Sequence, residues 1–227
     1  MTSVSKLICT SVFLAAMVTC SLVLRAQSPA ATSAVDAHTL AQRVNDHYNR
    51  LHSLRAAFTE SYDGLGLSRS ESGTLYLQKP GRMKWDYTSP AGKVFLLDGK
   101  FAWFWSRGAT QVQRIEAKKL DDLRSPLQFL LGHTELEKEM TNLKAAPGTD
   151  GQIVLTGVPK GQQNRIQLIT FHVTAAGAIT SISIEETDGA ITRFTFTDEQ
   201  ANIQIPDNTF HFAPPPGVPV VDTMPPV

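Results

Sequence analysis

Histidines and carboxylates do most acid–base and metal chemistry, and in this chain they are poorly arranged for it. His38, His47 and His52 fall nine and five residues apart. That spacing does not stack a metal pair on one helix face, so they read as surface residues. Glu185, Glu186 and Asp188 cluster beside a turn, where carboxylates are solvated rather than set for acid–base work. His172 and His211 alternate with aromatic residues on strand-like segments and read as structural. There is no nucleophile elbow, no phosphate-cradling glycine loop and no HExxH. The expectation is a binding protein, not an enzyme, with no cofactor and no metal.

The distinctive residues are large rings. Met83, Trp85 and Tyr87 alternate with Arg82, Lys84 and Asp86, and Phe101, Trp103 and Trp105 share one face of a later segment. All three tryptophans of the chain lie here. Two explanations compete. One is a packed seam in a sheet core; the other is the wall of a cavity for an apolar ligand. The segment alone leaves both open.

Strict alternation makes residues 82–87 a half-buried antiparallel strand. Residues 74–79 precede it as another strand, and Lys79-Pro80-Gly81-Arg82 has the chemistry of a type II turn. Residues 93–97 and 101–105 form a hairpin across Asp98-Gly99. Upstream, Leu40, Val44, Tyr48 and Leu51 recur at helical spacing behind Asp36, a plausible N-cap. Residues 58–62 begin the sheet, and 63–70 read as a polar link containing glycine.

Downstream, residues 110–115 form a short strand. Ser125-Pro126 then opens a short helix closed by Gly132. With Leu127, Phe129, Leu130 and Leu131 it is apolar on nearly every side, so it must lie against a large apolar surface. Thr134 and Glu137 have the spacing of a capping box for a second short helix. Strands at 152–158, 165–174, 178–186 and 190–197, divided by glycine-containing turns, indicate an antiparallel sandwich or barrel. Phe210-His211-Phe212 reads as a last edge pairing before Pro214-Pro215-Pro216-Gly217 ends regular structure.

At 227 residues with 42% hydrophobic and 19% charged, the chain is large enough for one good core. Lys+Arg and Asp+Glu both number 21, so no basic excess argues for nucleic acid. Residues 1–26 read as a signal peptide: Lys6, then an apolar run to Leu24, then Ala26 as a cleavage point. The run is also nearly long enough for an uncleaved anchor. Lipid attachment at Cys20 is disfavoured, because Met17-Val18-Thr19 lacks a small residue before it. Cys9 and Cys20 are the two cysteines, so the mature chain has no disulfide and no thiolate site. The expected organisation is a flexible lead-in over 27–35, one domain over 36–213 and a proline-rich tail over 214–227.

A longer pattern runs through the chain: Ser53-Leu54-Arg55-Ala56-Ala57-Phe58-Thr59-Glu60, Gly73-Thr74-Leu75, Lys79-Pro80, Trp85, Pro90, Asp98-Gly99-Lys100, Trp103, Ser125-Pro126-Leu127 and Phe210-His211-Phe212-Ala213-Pro214-Pro215. In this order and spacing the chain resembles the LolA family of periplasmic lipoprotein carrier proteins. The resemblance implies a mainly β fold, an unclosed antiparallel β-barrel (a half-barrel) with a helical lid over an apolar cavity. It implies a periplasmic carrier that takes acylated lipoproteins from an inner-membrane ABC transporter and hands them to an outer-membrane receptor. The family's cavity positions carry over to Tyr48, Met83, Trp85, Leu127 and Leu130, and Val44, Leu75, Leu77 and Tyr87 complete the expected lining. The family's gating arginine is Lys79 here, a compact charge without a planar fork. The related outer-membrane receptor would need a lipid on Cys20. A lipid-modifying or hydrolytic enzyme is the alternative from another class.

Overall fold

The computed structural model describes residues 36–119 and 134–222. The expected signal peptide, the lead-in and the 125–132 helix, with Leu127 and Leu130, lie outside the described residues.

The first element is α1, Ala37–Asn49. The Asp36 carboxylate accepts from the amides of His38 and Thr39, 3.1 Å each, and closes the first turn. The strands follow as β1 (Ser53–Gly64), β2 (Leu67–Gln78), β3 (Arg82–Ser89), β4 (Ala91–Asp98), β5 (Phe101–Ser106) and β6 (Val112–Glu116). A one-turn helix, α2 (Leu136–Glu139), leads into β7 (Met140–Pro147), β8 (Ile153–Pro159), β9 (Ile166–Val173), β10 (Ile179–Glu186), β11 (Ile191–Ala201) and β12 (Val220–Asp222).

The strands make one sheet in the order β12-β6-β5-β4-β3-β2-β1-β11-β10-β9-β8-β7. Neighbours pair antiparallel except β12, which runs parallel to β6. The sheet stays unclosed, with β12 and β7 at opposite ends of the order. Pairing of β1 with β11 joins the early meander to the late one. The main core lies on one face, here called the inner face. It combines Leu75, Leu77, Met83 and Trp85 with Leu155, Phe171 and Ile182, and α1 packs into the same cluster.

Several turns depart from the sequence expectation. The Lys79–Pro80 bond is cis, and Gly81 has φ 71°. Gln78 pairs with Arg82, so the type II turn expected at 79–82 lies within a three-residue hairpin loop. Residues 63–70 are not a loose link but the end of a long hairpin, with register from Ser53↔Gln78 to Gly64↔Leu67. Its two-residue turn, Leu65-Gly66, has positive φ at both positions, 53° and 75°, which suits the twist of a hairpin. The usual Asn or Asp is missing there, so the signal was weak.

The tryptophans divide between the two faces. Trp85 points to the inner core. On β5 the residues paired into that core are Ala102, opposite Leu97, and Phe104, opposite Phe95. Phe101, Trp103 and Trp105 therefore point to the outer face. There the C-terminal segment covers the two tryptophans: Phe212 lies 5.8 Å from Trp103 and 6.4 Å from Trp105 between ring centres. The 3-10 turn Asp207–Phe210 packs on β3 and β4. Phe210-His211-Phe212 thus makes no edge pairing. Nor does the proline run end regular structure, because β12 follows it, and Arg114 grips Asp222 through two nitrogens at 2.7 and 3.0 Å. A bidentate ion pair and three backbone positions hold an edge that sequence alone marks as a tail.

Candidate functional site

α1 packs on the inner face of the sheet beside β7 and β8. Its apolar stripe, Leu40, Ala41, Val44 and Tyr48, is buried. In the same cluster Leu75, Leu77, Met83 and Trp85 are each no more than 3% exposed. The Trp85 ring meets Phe58 edge-on at 4.7 Å and Phe194 at 5.3 Å, and its indole N–H donates to Met83 Sδ at 3.1 Å. Among the described residues Tyr48, Leu54, Ala56, Leu75, Ile179, Phe196 and Glu199 line a cavity of about 10 Å³. That holds about one water and no acyl chain. Trp85 is packed among rings of the sheet itself, and α1 joins the same buried cluster.

The helix is fastened by polar contacts around its length. Tyr48, in its last turn, makes two of them: its hydroxyl accepts from the Ile179 amide at 3.0 Å, and its carbonyl accepts from Lys79 Nζ at 2.9 Å. Burial and the Glu199 carboxylate push the Tyr48 phenol well above its ordinary range, so it stays protonated. Burial alone pulls Lys79 below the usual lysine value. Among the described residues the helix that Lys79, expected as a latch, reaches is α1.

His47, expected on the surface, pairs through Nε2 with Glu199 Oε1 at 2.8 Å; its side chain is only 17% exposed. Asn45 Oδ1 accepts from the Leu136 amide at 3.0 Å, and Asn49 makes a two-way bond with the Thr134 backbone, 2.6 and 2.9 Å. α2 accordingly has Glu135 at its N-cap with no side-chain cap bond. The capping box expected from Thr134 and Glu137 gives way to caps supplied by α1. At the other end of the helix His38 Nδ1 meets Glu137 Oε1 at 2.9 Å. That hydrogen bond, then the Glu137 charge, raises the His38 pKa.

One backbone approach is also critical. A Cβ on Gly177, in the β9–β10 turn, would sit 2.2 Å from the Arg43 carbonyl oxygen of α1. Gly177 also has φ 91°, so glycine is required twice over.

The expected lining residues Val44, Tyr48, Leu75, Leu77, Met83 and Trp85 thus come together in one cluster. Tyr87 stands at its margin, half-buried, with its hydroxyl donating to Glu60 Oε2 at 3.1 Å. Leu127 and Leu130 lie outside the described residues. Asn45, Asn49, His47, Gly177 and Glu199 were missed. On a helix or beside a turn such residues look solvated, and their partners are up to 152 residues away in sequence. Among the described residues no three His, Cys, Asp or Glu side chains converge as a metal set would.

Comparison with known proteins fits this arrangement. The family described as outer membrane lipoprotein carrier protein LolA matches residues 50–213. An outer-membrane lipoprotein carrier protein from Chromobacterium violaceum is 31% identical over 174 residues, 74% of this chain and 81% of the relative. One from Cupriavidus necator is 28% identical over 202 residues, 86% of this chain and 90% of the relative. Among solved structures, an uncharacterized conserved protein from Thermus thermophilus superposes with a TM-score of 0.52 at 12% identity, over 82% of this chain and 99% of that one. That likeness concerns the fold alone. By the family match over residues 50–213, on this unclosed sheet, the chain belongs to the LolA family of outer membrane lipoprotein carrier proteins.

Proposed function

We propose that this chain is a periplasmic lipoprotein carrier. Exported and cleaved near Ala26, it takes acylated lipoproteins from an inner-membrane ABC transporter and delivers them to an outer-membrane receptor. The observation that carries the proposal is α1. An amphipathic helix lies over an apolar sheet face and is secured by bonds that water can replace. When it lifts, the face formed by Leu75, Leu77, Met83 and Trp85 becomes a site for acyl chains, with Val44 and Tyr48 on the moving wall and Tyr87 at the margin. Leu127 and Leu130 are proposed to complete the lining. Lys79 biases the helix towards the empty, docked state.

The test is release. Inner-membrane vesicles bearing a radiolabelled lipoprotein and the release transporter, incubated with ATP and the purified mature chain, should yield a soluble one-to-one complex. Lipoprotein that stays in the membrane fraction would defeat the proposal. Mass spectrometry of the exported chain checks the processing step, and diacylglycerol on Cys20 would move the protein to the receptor class.

A further inference from the structure

The inner face does not end with its apolar strip. Along β1 and β2 the paired inward positions run Leu54↔Leu77, Ala56↔Leu75 and Phe58↔Gly73, then Glu60↔Glu71 and Tyr62↔Arg69. From Leu77 to Gly73 is four residues, about 14 Å at the rise of a strand. One leaflet's hydrocarbon, half of a core about 30 Å thick, has nearly the same depth. At that distance the strand pair changes from apolar residues to charges.

The charges form a closed set. Glu60 is 8% exposed as a residue, and the Glu71 side chain is 11% exposed. Two carboxylates opposite each other on neighbouring strands repel, and each here has a cation. Lys93 of β4 pairs with Glu71, while Arg69 Nη2 stands 4.0 Å from Glu60 Oε1. The Lys93 ammonium lies 4.2 Å from the centre of the Tyr87 ring, whose hydroxyl donates to Glu60. The Arg69 guanidinium lies 4.8 Å over the Tyr62 ring. Packed apolar side chains would stabilise a sheet at least as well as such partly buried ion pairs. Stability alone does not account for the set.

Building on the carrier reading, we infer that this collar is the subsite for the polar end of the bound lipid. It would hold the glyceryl ester carbonyls and the first peptide amide of an acylated cargo, with the hydrocarbon lying along the Leu75–Leu77 strip. Ester carbonyls need donors. Lys93 has three ammonium protons with Glu71 as its carboxylate partner, and Arg69 has a five-donor fork, a 57% exposed side chain and only a loose hold on Glu60. Peptide N–H groups need acceptors, which the carboxylates of Glu60 and Glu71 supply. The four charges cancel, so the collar suits a dipolar, uncharged group better than a phosphate or an ammonium. Its register beyond the strip sets the depth at about one acyl chain.

Two probes test this on the mature chain. One is a synthetic S-(dipalmitoylglyceryl)cysteinyl-seryl peptide; the other is diphenylhexatriene, a hydrocarbon with neither ester nor amide. The double variant Glu71→Gln, Lys93→Gln removes one ion pair without changing net charge. Its Kd for the lipopeptide should rise about tenfold, the loss of one charge-assisted hydrogen bond, while diphenylhexatriene binds as before. Lys93→Arg should restore lipopeptide binding to within about threefold, since charge and donors persist. Dipalmitoyl phosphatidylglycerol has the esters without the amide. A matching loss with it assigns the collar to the esters, and a loss confined to the lipopeptide assigns it to the amide. Unchanged lipopeptide affinity in the double variant overturns the subsite, as does an equal loss for lipopeptide and hydrocarbon. If wild type binds neither probe, the carrier reading fails and the subsite falls with it.

Discussion

Replacing Lys79 with leucine removes one fastening of α1 and leaves the others in place. The ammonium donates to the Tyr48 carbonyl at 2.9 Å, in the last turn of the helix, where a cation also faces the negative end of the helix dipole. A hydrogen bond to a charged group contributes about 1.5–3 kcal/mol. Three features reduce that figure here. The side chain is only half-buried, so solvent screens it. Burial already disfavours the charged form, a penalty that leucine does not carry. The carbonyl also accepts from the Leu51 amide at 3.1 Å, so it is not orphaned by the substitution. About 1 kcal/mol is left, or about a fivefold change in the ratio of docked to undocked helix. Hydrogen exchange reads this directly. Amides of α1 should exchange about fivefold faster in Lys79→Leu, with β1, β2 and β9 unchanged, and Lys79→Arg should exchange as wild type does. In the vesicle assay Lys79→Leu should still take up lipoprotein but deliver it more slowly, because the empty docked state no longer favours release. Equal α1 exchange in wild type and Lys79→Leu would refute the latch. Faster exchange across the whole sheet would point to global destabilisation.

Gly177→Ala should lower stability by about 2–4 kcal/mol, from the positive φ and the clash with the Arg43 carbonyl, read as a fall of about 5–15 °C in Tm; an unchanged Tm would show that the turn can back away from α1. Trp85→Ala should cost about 3–5 kcal/mol in urea unfolding, as for a packed core ring, and a cost under about 1 kcal/mol would mean that the ring lines a space, not a core. Two charges at the start of α1 give opposite pH responses. Amide hydrogen bonds from Thr39 and His38 hold Asp36 below its ordinary 3.8, so its contribution is present above 3.8 and lost as pH falls through the lowered value. His38 is raised above 6.5 by Glu137, so its contribution is full below 6.5 and fades as pH rises through the raised value. NMR of the α1 amides across both ranges should show two separate transitions, and a flat profile would discount both contacts.

Local signals carried much of this fold. The alternation of Met83, Trp85 and Tyr87 marked β3, Asp98-Gly99 marked the β4–β5 hairpin, and Asp36 marked the start of α1. These are short-range effects of period, turn chemistry and capping. The side of the sheet on which a residue lands is different, because it depends on register. Trp85 and Trp103 look alike in sequence, yet Leu97 pairs with Ala102, which turns Trp103 to the outer face. The β12 edge was hidden for a related reason, since a three-residue strand after a proline run has no periodicity to read. The fastenings of α1 were least legible. Asn45 and Asn49 occupy positions that a solvated helix face would also use, and only the return of the chain at Thr134 and Leu136 gives them partners.

The energetics of α1 separate into two parts with different consequences for a carrier. Its large apolar side chains, Leu40, Val44 and Tyr48, contribute about 1.5–3 kcal/mol each by leaving water. Undocking into water would lose all of that and expose the sheet face as well, which would keep an empty carrier closed. The neutral hydrogen bonds, Asn45 to Leu136, Asn49 to Thr134 and Tyr48 to Ile179, contribute only about 0.5–1.5 kcal/mol each, because water replaces them. An acyl chain changes the first part and not the second. Each buried methylene returns about 0.8 kcal/mol, so about ten of them match the apolar contribution of the three side chains. The balance between empty and loaded states is then left to the polar contacts, each small enough for one substitution to shift it. A helix held mainly by apolar packing would stay shut in water and yield to lipid; on the proposed reading, Lys79 and the asparagines would set how readily it shuts again.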